Sequence, residues 1–176
     1  MTFRWPWQYD FPPFYTLQKA VSTRSIQVET WARLVLDYAE NKKMYTLDLV
    51  EASNSELFFN SKLNRQLSTE GIKAVFEHLE VMKAIEWVDS SKTRCHVFWR
   101  RPDQWASLIY EWAVRNGFLN TPLTIYEIAN GDDAVDESFY GLDKQVLLKA
   151  LRSLENQKQA QLMNIGTEHE GVKFLQ

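Results

Sequence analysis

Cysteine, glycine and histidine are scarce in this 176-residue sequence, which has one cysteine, six glycines and three histidines. The single cysteine, Cys95, excludes an intramolecular disulfide bond and is typical of a reducing compartment, so we expect a cytosolic or nuclear location. The glycines form neither a phosphate-binding loop nor a nucleophile elbow. His78, His96 and His169 are far apart, and none belongs to a His-Glu-x-x-His arrangement. The sequence therefore indicates no enzyme and no cofactor.

Long apolar runs and an excess of basic charge are also missing. No run approaches the roughly 20 apolar residues of a membrane span, and the amino terminus is not basic and then aliphatic like a signal peptide. The formal net charge of −3 gives no general attraction to phosphate backbones or anionic lipids. The acidic group Asp132, Asp133, Asp136 and Glu137 lacks the ligand spacing of a calcium loop, so we predict a solvated loop and no metal site.

Aromatic residues, in contrast, are abundant and crowd the amino terminus, where they make up seven of the first fifteen residues. A chain end with so much apolar area must bury it, on its own domain or on another protein. Prolines also push each preceding residue towards extended geometry. We therefore predict an extended arm over residues 1–18 that binds a partner through Trp5, Pro6, Trp7, Tyr9, Phe11, Pro12, Pro13, Phe14 and Tyr15.

Two other interpretations of the arm stay open. It could pack entirely on its own domain. Alternatively, residues 12–15 match the Pro-Pro-x-Tyr pattern that WW domains bind as a polyproline helix, which requires a free arm. Docking into a partner subunit is favoured, because a stiff arm loses little entropy on binding and because tryptophan and tyrosine are strong anchors.

Behind the arm, one order of elements occurs twice: a helix, a short helix, a second helix and a hairpin. Such an order within roughly 75–80 residues predicts a winged helix, a helix-turn-helix variant that ends in a β-hairpin. We therefore predict a mainly α protein with small β-hairpins (α+β), in which two tandem winged-helix domains follow the extended arm. The predicted domains are the arm (1–18), the first winged helix (19–100) and the second (101–176).

Individual residues place these elements along the chain. Thr46 and Thr124 are predicted to cap the two short helices, and Ser68 and Pro102 to begin longer ones. Residues 55–67 are ambiguous, with a helical turn and a loop as the interpretation. The two halves are expected to match at a fixed offset that equates Val97 with Val172 and Trp99 with Phe174. Further helices are predicted over 24–40 and 142–158, and strands over 84–88, 95–99, 160–165 and 172–175.

Nucleic acid is the obvious ligand for a winged helix, but the charges do not favour it. The predicted recognition helix near 68–83 carries Glu70, Glu77 and Glu80, which is unsuitable for a groove lined by phosphates. The corresponding helix of the second domain is mildly basic, and its Lys149 and Arg152 form a candidate face for an acidic protein partner. A winged-helix nucleic-acid-binding protein remains the alternative hypothesis.

Several stretches of the sequence match those of a known protein family. The openings Trp-Pro-Trp-Gln-Tyr (5–9) and Phe-Pro-Pro-Phe-Tyr-Thr-Leu-Gln (11–18) are the most specific. Trp-Arg-Arg-Pro (99–102), Tyr-Gly-Leu-Asp (140–143) and Gly-Val-Lys-Phe (171–174) agree as well. Together they resemble the vacuolar protein sorting-associated protein 25 family, the small subunits of the ESCRT-II endosomal sorting complex, over essentially the whole chain.

This resemblance implies two tandem winged helices and a non-enzymatic adaptor without a cofactor. It implies that the arm inserts into hydrophobic grooves of the two larger ESCRT-II subunits, with two copies of this chain per complex. The second winged helix would recruit and activate the first ESCRT-III subunit through that subunit's amino-terminal helix, in sorting ubiquitinated cargo into multivesicular bodies. We accordingly expect a cytoplasmic protein that is recruited peripherally to endosomal membranes without inserting into them.

Overall fold

The computed structural model describes residues 2–176, and the chain divides into two compact units, Met1–Trp99 and Arg100–Gln176. Within the described residues, each unit has three α-helices and a three-stranded antiparallel sheet. The arm belongs to the first unit.

The first unit is built around two long amphipathic helices. On α1 (Val21–Asn41), Val28, Trp31 and Val35 recur at helical spacing and are buried. Helix α3 (Thr69–Val81) begins after Ser68, whose hydroxyl accepts a hydrogen bond from the amide of Gly71 at 3.1 Å, as the sequence predicts. The elements are α1 (Val21–Asn41), β1 (Thr46–Asp48), α2 (Leu49–Asn54), β2 (Phe59–Asn60), β3 (Arg65–Gln66), α3 (Thr69–Val81), β4 (Ile85–Trp87) and β5 (Arg94–Val97).

The second unit repeats this plan without the small β2–β3 hairpin. Pro102 is the first residue of its first helix, where the missing N–H costs nothing. The Thr124 hydroxyl accepts a hydrogen bond from the amide of Glu127 at 3.0 Å and so caps the short helix, as predicted. The elements are α4 (Pro102–Arg115), β6 (Pro122–Thr124), α5 (Ile125–Asn130), α6 (Lys144–Asn156), β7 (Ala160–Met163) and β8 (Gly171–Phe174).

The sheets show that the two units share one topology. Their strand orders are β1-β5-β4 and β6-β8-β7, so in each the strand before the short helix pairs with the last strand of the terminal hairpin. The short strands β1 and β6 were not predicted, because three residues are too few to show the alternation of a strand. The predicted class, α+β with two tandem winged helices, is confirmed.

The prediction for Thr46 is wrong. Thr46 begins strand β1, and the short helix α2 is capped by Asp48, whose carboxylate accepts from the amides of Val50 and Glu51. Asp48 is therefore the equivalent of Thr124. The ambiguous segment 55–67 contains the small hairpin β2–β3, which is not among the predicted strands.

The predicted match between the terminal hairpins is also wrong by two residues. Trp87 pairs with Cys95, whereas its equivalent Leu162 pairs with Val172, so the second hairpin connection is two residues longer. The register therefore equates Cys95 with Val172 and Val97 with Phe174. Cys95 is buried, and burial raises the pKa of its thiol to about 12, so the thiol stays protonated at neutral pH.

Candidate partner-binding site

The arm folds back on the first unit as two short 3-10 helices, Trp7–Asp10 and Pro12–Tyr15. The extended geometry predicted for the arm is therefore wrong over these residues. The φ of proline suits a 3-10 turn as well as a polyproline helix, so Pro12 and Pro13 begin a turn. The expected extended backbone survives at Phe11, with φ −104° and ψ 108°, and it separates the two turns.

The inner face of the arm is part of the hydrophobic core. Tyr9, Phe14 and Tyr15 are buried together with residues of α1, α2 and α3. The ring of Phe14 stacks on that of Trp31 in α1, with centroids 4.2 Å apart and planes inclined by 3°. Three of the nine predicted partner-binding residues thus contribute to the fold of the first unit.

Hydrogen bonds fix the backbone of the arm at two points. The carbonyl of Phe14 accepts from Gln27 Nε2 and from Trp31 Nε1, both at 2.9 Å. The carbonyl of Tyr9 accepts from the Tyr15 hydroxyl at 2.7 Å and from Asn60 Nδ2 at 2.9 Å. Because these carbonyls are shielded from water, each bond also avoids an unsatisfied buried acceptor.

Gln27 and Asn60 are the two buried polar side chains among the described residues, and both bind the arm. Neither residue is among the predicted site residues. The signal for Gln27 was its place beside Val28 and four residues before Trp31, where the buried side of α1 should be apolar. Asn60 gave no comparable signal, because its contact with Tyr9 spans 51 residues.

The phenol of Tyr15 is neutral, and its hydroxyl already makes a hydrogen bond within the arm. Burial raises its pKa to about 12, and its hydroxyl donates to the Tyr9 carbonyl. A WW domain could contact this side chain only after the arm had left its own unit. The folded arm therefore does not favour the hypothesis of a free Pro-Pro-x-Tyr ligand.

The outer face of the arm is a separate aromatic surface. Trp7 is 71% exposed and Phe11 is 47% exposed, and their ring centroids lie 5.7 Å apart. Pro12 and Pro13, which follow Phe11, are exposed as well. We call Trp7, Phe11, Pro12 and Pro13 the outer face. An exposed apolar cluster of this kind on a fixed backbone is typical of a protein-binding site.

Trp5 and Pro6 are intermediate in exposure between the inner and the outer face of the arm. Both are half-buried, and Trp5 stacks on Tyr9 with ring centroids 3.8 Å apart. Phe3 packs edge-on against Trp5 at 4.8 Å and against Tyr38 of α1 at 5.5 Å. Trp5 therefore packs against the inner face through Tyr9 and remains partly exposed.

The candidate face of the second unit lies on α6. Lys149 is half-buried and Arg152 is exposed, and a spacing of three residues places them on one side of the helix. Asp143 caps this helix by accepting from the amides of Gln145 and Val146. No contact in the described residues tests whether this face binds an acidic partner, so that role stays a prediction.

The described residues do not favour a nucleic-acid site or a metal site. On α3, Glu70, Glu77 and Glu80 are all exposed, which does not favour the nucleic-acid alternative. Over residues 2–176, no three histidine, cysteine or acidic side chains are grouped so that they could hold a metal ion. In the same part of the chain, no helix has the length and apolar character needed to cross a membrane.

The fold and the arm together define the class of this protein: a tandem winged-helix protein with an aromatic amino-terminal arm. A family model for ESCRT-II complex subunits matches residues 8–143. The vacuolar protein-sorting-associated protein 25 of Danio rerio is 47% identical over 175 residues, which are 99% of this chain and 100% of the relative. The Homo sapiens protein of the same name is 44% identical and covers 99% of each chain.

Solved structures agree with these relatives. The crystal structure of subunit VPS25 of the endosomal trafficking complex ESCRT-II has a TM-score of 0.83 and 27% identity, over 96% of this chain and 97% of that one. A chain in the crystal structure of the endosomal complex ESCRT-II (VPS22/VPS25/VPS36) has a TM-score of 0.80 and 28% identity, over 97% and 98%. The chain therefore belongs to the ESCRT-II family of vacuolar protein-sorting-associated protein 25.

Proposed function

We propose that this chain is the small adaptor subunit of an ESCRT-II complex and that it docks into the larger subunits through the outer face of its arm. The observation that carries the proposal is the exposure of Trp7 and Phe11 on a segment whose backbone is fixed on the first unit. The family of the chain supports it independently.

The geometry suits an assembly contact. Exposed tryptophan and phenylalanine rings bring large apolar areas to an interface, and aromatic anchors commonly carry most of its binding energy. Because the hydrogen bonds at Tyr9 and Phe14 already order the arm, little conformational entropy remains to be lost on docking. The arm therefore acts as a preformed plug rather than a flexible tail.

The proposed partners are the two larger ESCRT-II subunits. The solved ESCRT-II complex that contains a chain similar to this one is composed of VPS22, VPS25 and VPS36. VPS22 and VPS36 therefore indicate which kind of partner this chain binds. We propose two copies of this chain per complex, one on each larger subunit. Both copies would present the same outer face, so each larger subunit must offer a groove for Trp7 and Phe11.

Native mass spectrometry of the protein alone and mixed with the two larger subunits tests this assignment. We expect the protein alone to be a monomer. In the mixture, two copies should enter one larger assembly, because each copy can bury its outer face on one larger subunit. A mixture in which the protein remains monomeric at micromolar concentrations would contradict the proposed function.

The second unit is proposed to engage an acidic amino-terminal helix of an ESCRT-III subunit through Lys149 and Arg152 on α6. Opposite charge on the partner would speed association and select its orientation. Through this contact the protein would link ESCRT-II to ESCRT-III at the endosomal membrane and take part in sorting ubiquitinated cargo into multivesicular bodies.

Reversing both charges, by Lys149→Glu with Arg152→Glu, is expected to weaken binding of that helix on the order of tenfold at low salt. The difference should shrink as salt is raised, because exposed charges are screened. Fluorescence anisotropy with a labelled peptide measures the effect. The control is Lys62→Glu with Lys73→Glu in the first unit, which changes the net charge equally. Equal binding by both double variants would exclude α6 as the contact.

A further inference from the structure

A cavity of about 440 Å³ lies between the arm and α1. The arm lines it with Trp7, Phe11 and Pro13, which are residues of the outer face. Helix α1 contributes Ile26 and Thr30 on the other side. The outer face therefore continues from the arm onto the first helix of the folded unit.

Ile26 is unusual for a helix residue beside a core. It is 66% exposed, although Val28 and Trp31 on the same helix are buried. Exposing an isoleucine gives up the stabilisation that burial of such a side chain contributes. It lines the same cavity as Trp7 and Phe11, so it belongs to a group of exposed apolar side chains and is not a single exposed residue.

The lining of the cavity is uncharged. Among the described residues that line it, none carries a charge at neutral pH, and half are apolar. The polar residues of the described lining are Gln8, Gln18, Thr23, Gln27 and Thr30. Three of these side chains already donate to backbone carbonyls: Thr30 Oγ1 to Ile26 at 2.7 Å, Gln27 Nε2 to Phe14 and Thr16, and Gln18 Nε2 to Pro13 and Thr16. A charged group entering the cavity would lose hydration without an opposite charge to compensate, whereas an apolar group would not.

Gln27 also fixes the shape of this cavity. Its Oε1 accepts from the amide of Gln18 at 3.0 Å, so one side chain holds the arm at Phe14, Thr16 and Gln18. The wall formed by the arm is thereby tied to the wall formed by α1. The cavity is present before any partner arrives, which lowers the entropic cost of filling it.

We propose that the docking surface is composite: Ile26 of α1 and the outer face of the arm together receive one uncharged apolar side chain that projects from a larger ESCRT-II subunit. This inference rests on the proposed function. It commits to an apolar side chain because the lining is uncharged and continuous with the outer face. It assigns Ile26 a direct role in recognition, and Gln27 the role of a positioning residue beneath it.

The test is Ile26→Glu, measured by calorimetric titration of the larger subunits with the full-length protein. We expect affinity to fall about tenfold or more, because a carboxylate would be desolvated in the uncharged cavity. Ile26→Leu should remain within about threefold of the original affinity, since it keeps the apolar volume. Val21→Glu is the matched control, because Val21 lies on the same helix, is 81% exposed and does not line the cavity.

The outcomes separate this inference from the proposed function. Weak binding by Ile26→Glu with normal binding by Val21→Glu supports the composite surface. Normal binding by Ile26→Glu, while Trp7→Ala with Phe11→Ala binds weakly, overturns the composite surface and leaves the function of the arm intact. Equal losses in both glutamate variants also overturn it, because the effect would then be one of charge on α1. Normal binding by all variants would refute the proposed function itself.

Discussion

Phe14→Ala is expected to lower the free energy of unfolding of the first unit by about 3–5 kcal/mol, the usual cost of truncating a buried phenylalanine. Phe14 is buried and stacks on Trp31, and its carbonyl is held by Gln27 and Trp31. The truncation removes the stacked ring and leaves a cavity above the Trp31 indole. Urea unfolding followed by tryptophan fluorescence measures the change.

Phe11→Ala is the control for that experiment. Phe11 belongs to the same arm and has the same side chain, but it is 47% exposed and packs only against Trp7 among the described rings. Its truncation should cost less than about 1 kcal/mol. If Phe14→Ala unfolded at the same urea concentration as the original protein, the inner face would not be part of the core.

The burial of Phe14 and Tyr15 limits how the Pro-Pro-x-Tyr motif can be tested by mutation. Tyr15 and Phe14 are inner-face residues, so a loss of partner binding in their alanine variants would reflect a destabilised first unit as much as a lost contact. Mutations at Trp7 and Phe11 avoid this ambiguity. The nine residues predicted as one binding site are thus divided by burial into an inner and an outer group.

Trp7→Ala with Phe11→Ala is expected to weaken binding to the larger subunits by at least about 100-fold, because aromatic anchors often contribute about 2 kcal/mol or more each. Both rings are exposed in the free protein, so their removal leaves the core untouched. Circular dichroism and the urea midpoint should therefore remain as in the original protein. Co-purification with the two larger subunits measures the loss.

The matched control is Tyr126→Ala, which removes an aromatic ring that is 71% exposed on α5 of the second unit. It should co-purify with the larger subunits like the original protein. A loss of binding in this variant as well would show that exposed aromatic rings in general, and not the outer face, govern the association.

Sequence patterns predicted most of the architecture because helical periodicity and capping residues act locally. The buried stripe of α1, the Ser68 cap and the Pro102 start are all visible within a few residues. Sheet details depend on contacts between distant strands. For this reason the prediction of Thr46 as a cap is wrong, and the predicted match of the hairpins differs by two residues from the register that pairs Leu162 with Val172.

The aromatic crowding of the arm predicted that it must be buried, but not which side would be. In the extended geometry predicted for the arm, Phe3, Trp5, Trp7, Tyr9 and Phe11 would share one face, because alternate residues of an extended chain point to the same side. The 3-10 turns break that period, so Tyr9 points to the core while Trp7 and Phe11 are exposed. The residues that decide this, Gln27 and Asn60, lie far from their arm contacts in sequence.

The central claim is that the arm uses its two faces for two purposes, the inner for the fold and the outer for assembly. Calorimetric titration of the larger subunits with the folded Trp7→Ala, Phe11→Ala variant tests it most directly. The two-face account predicts a loss of at least about 100-fold in affinity at an unchanged urea midpoint. An affinity within about threefold of the original protein would contradict it.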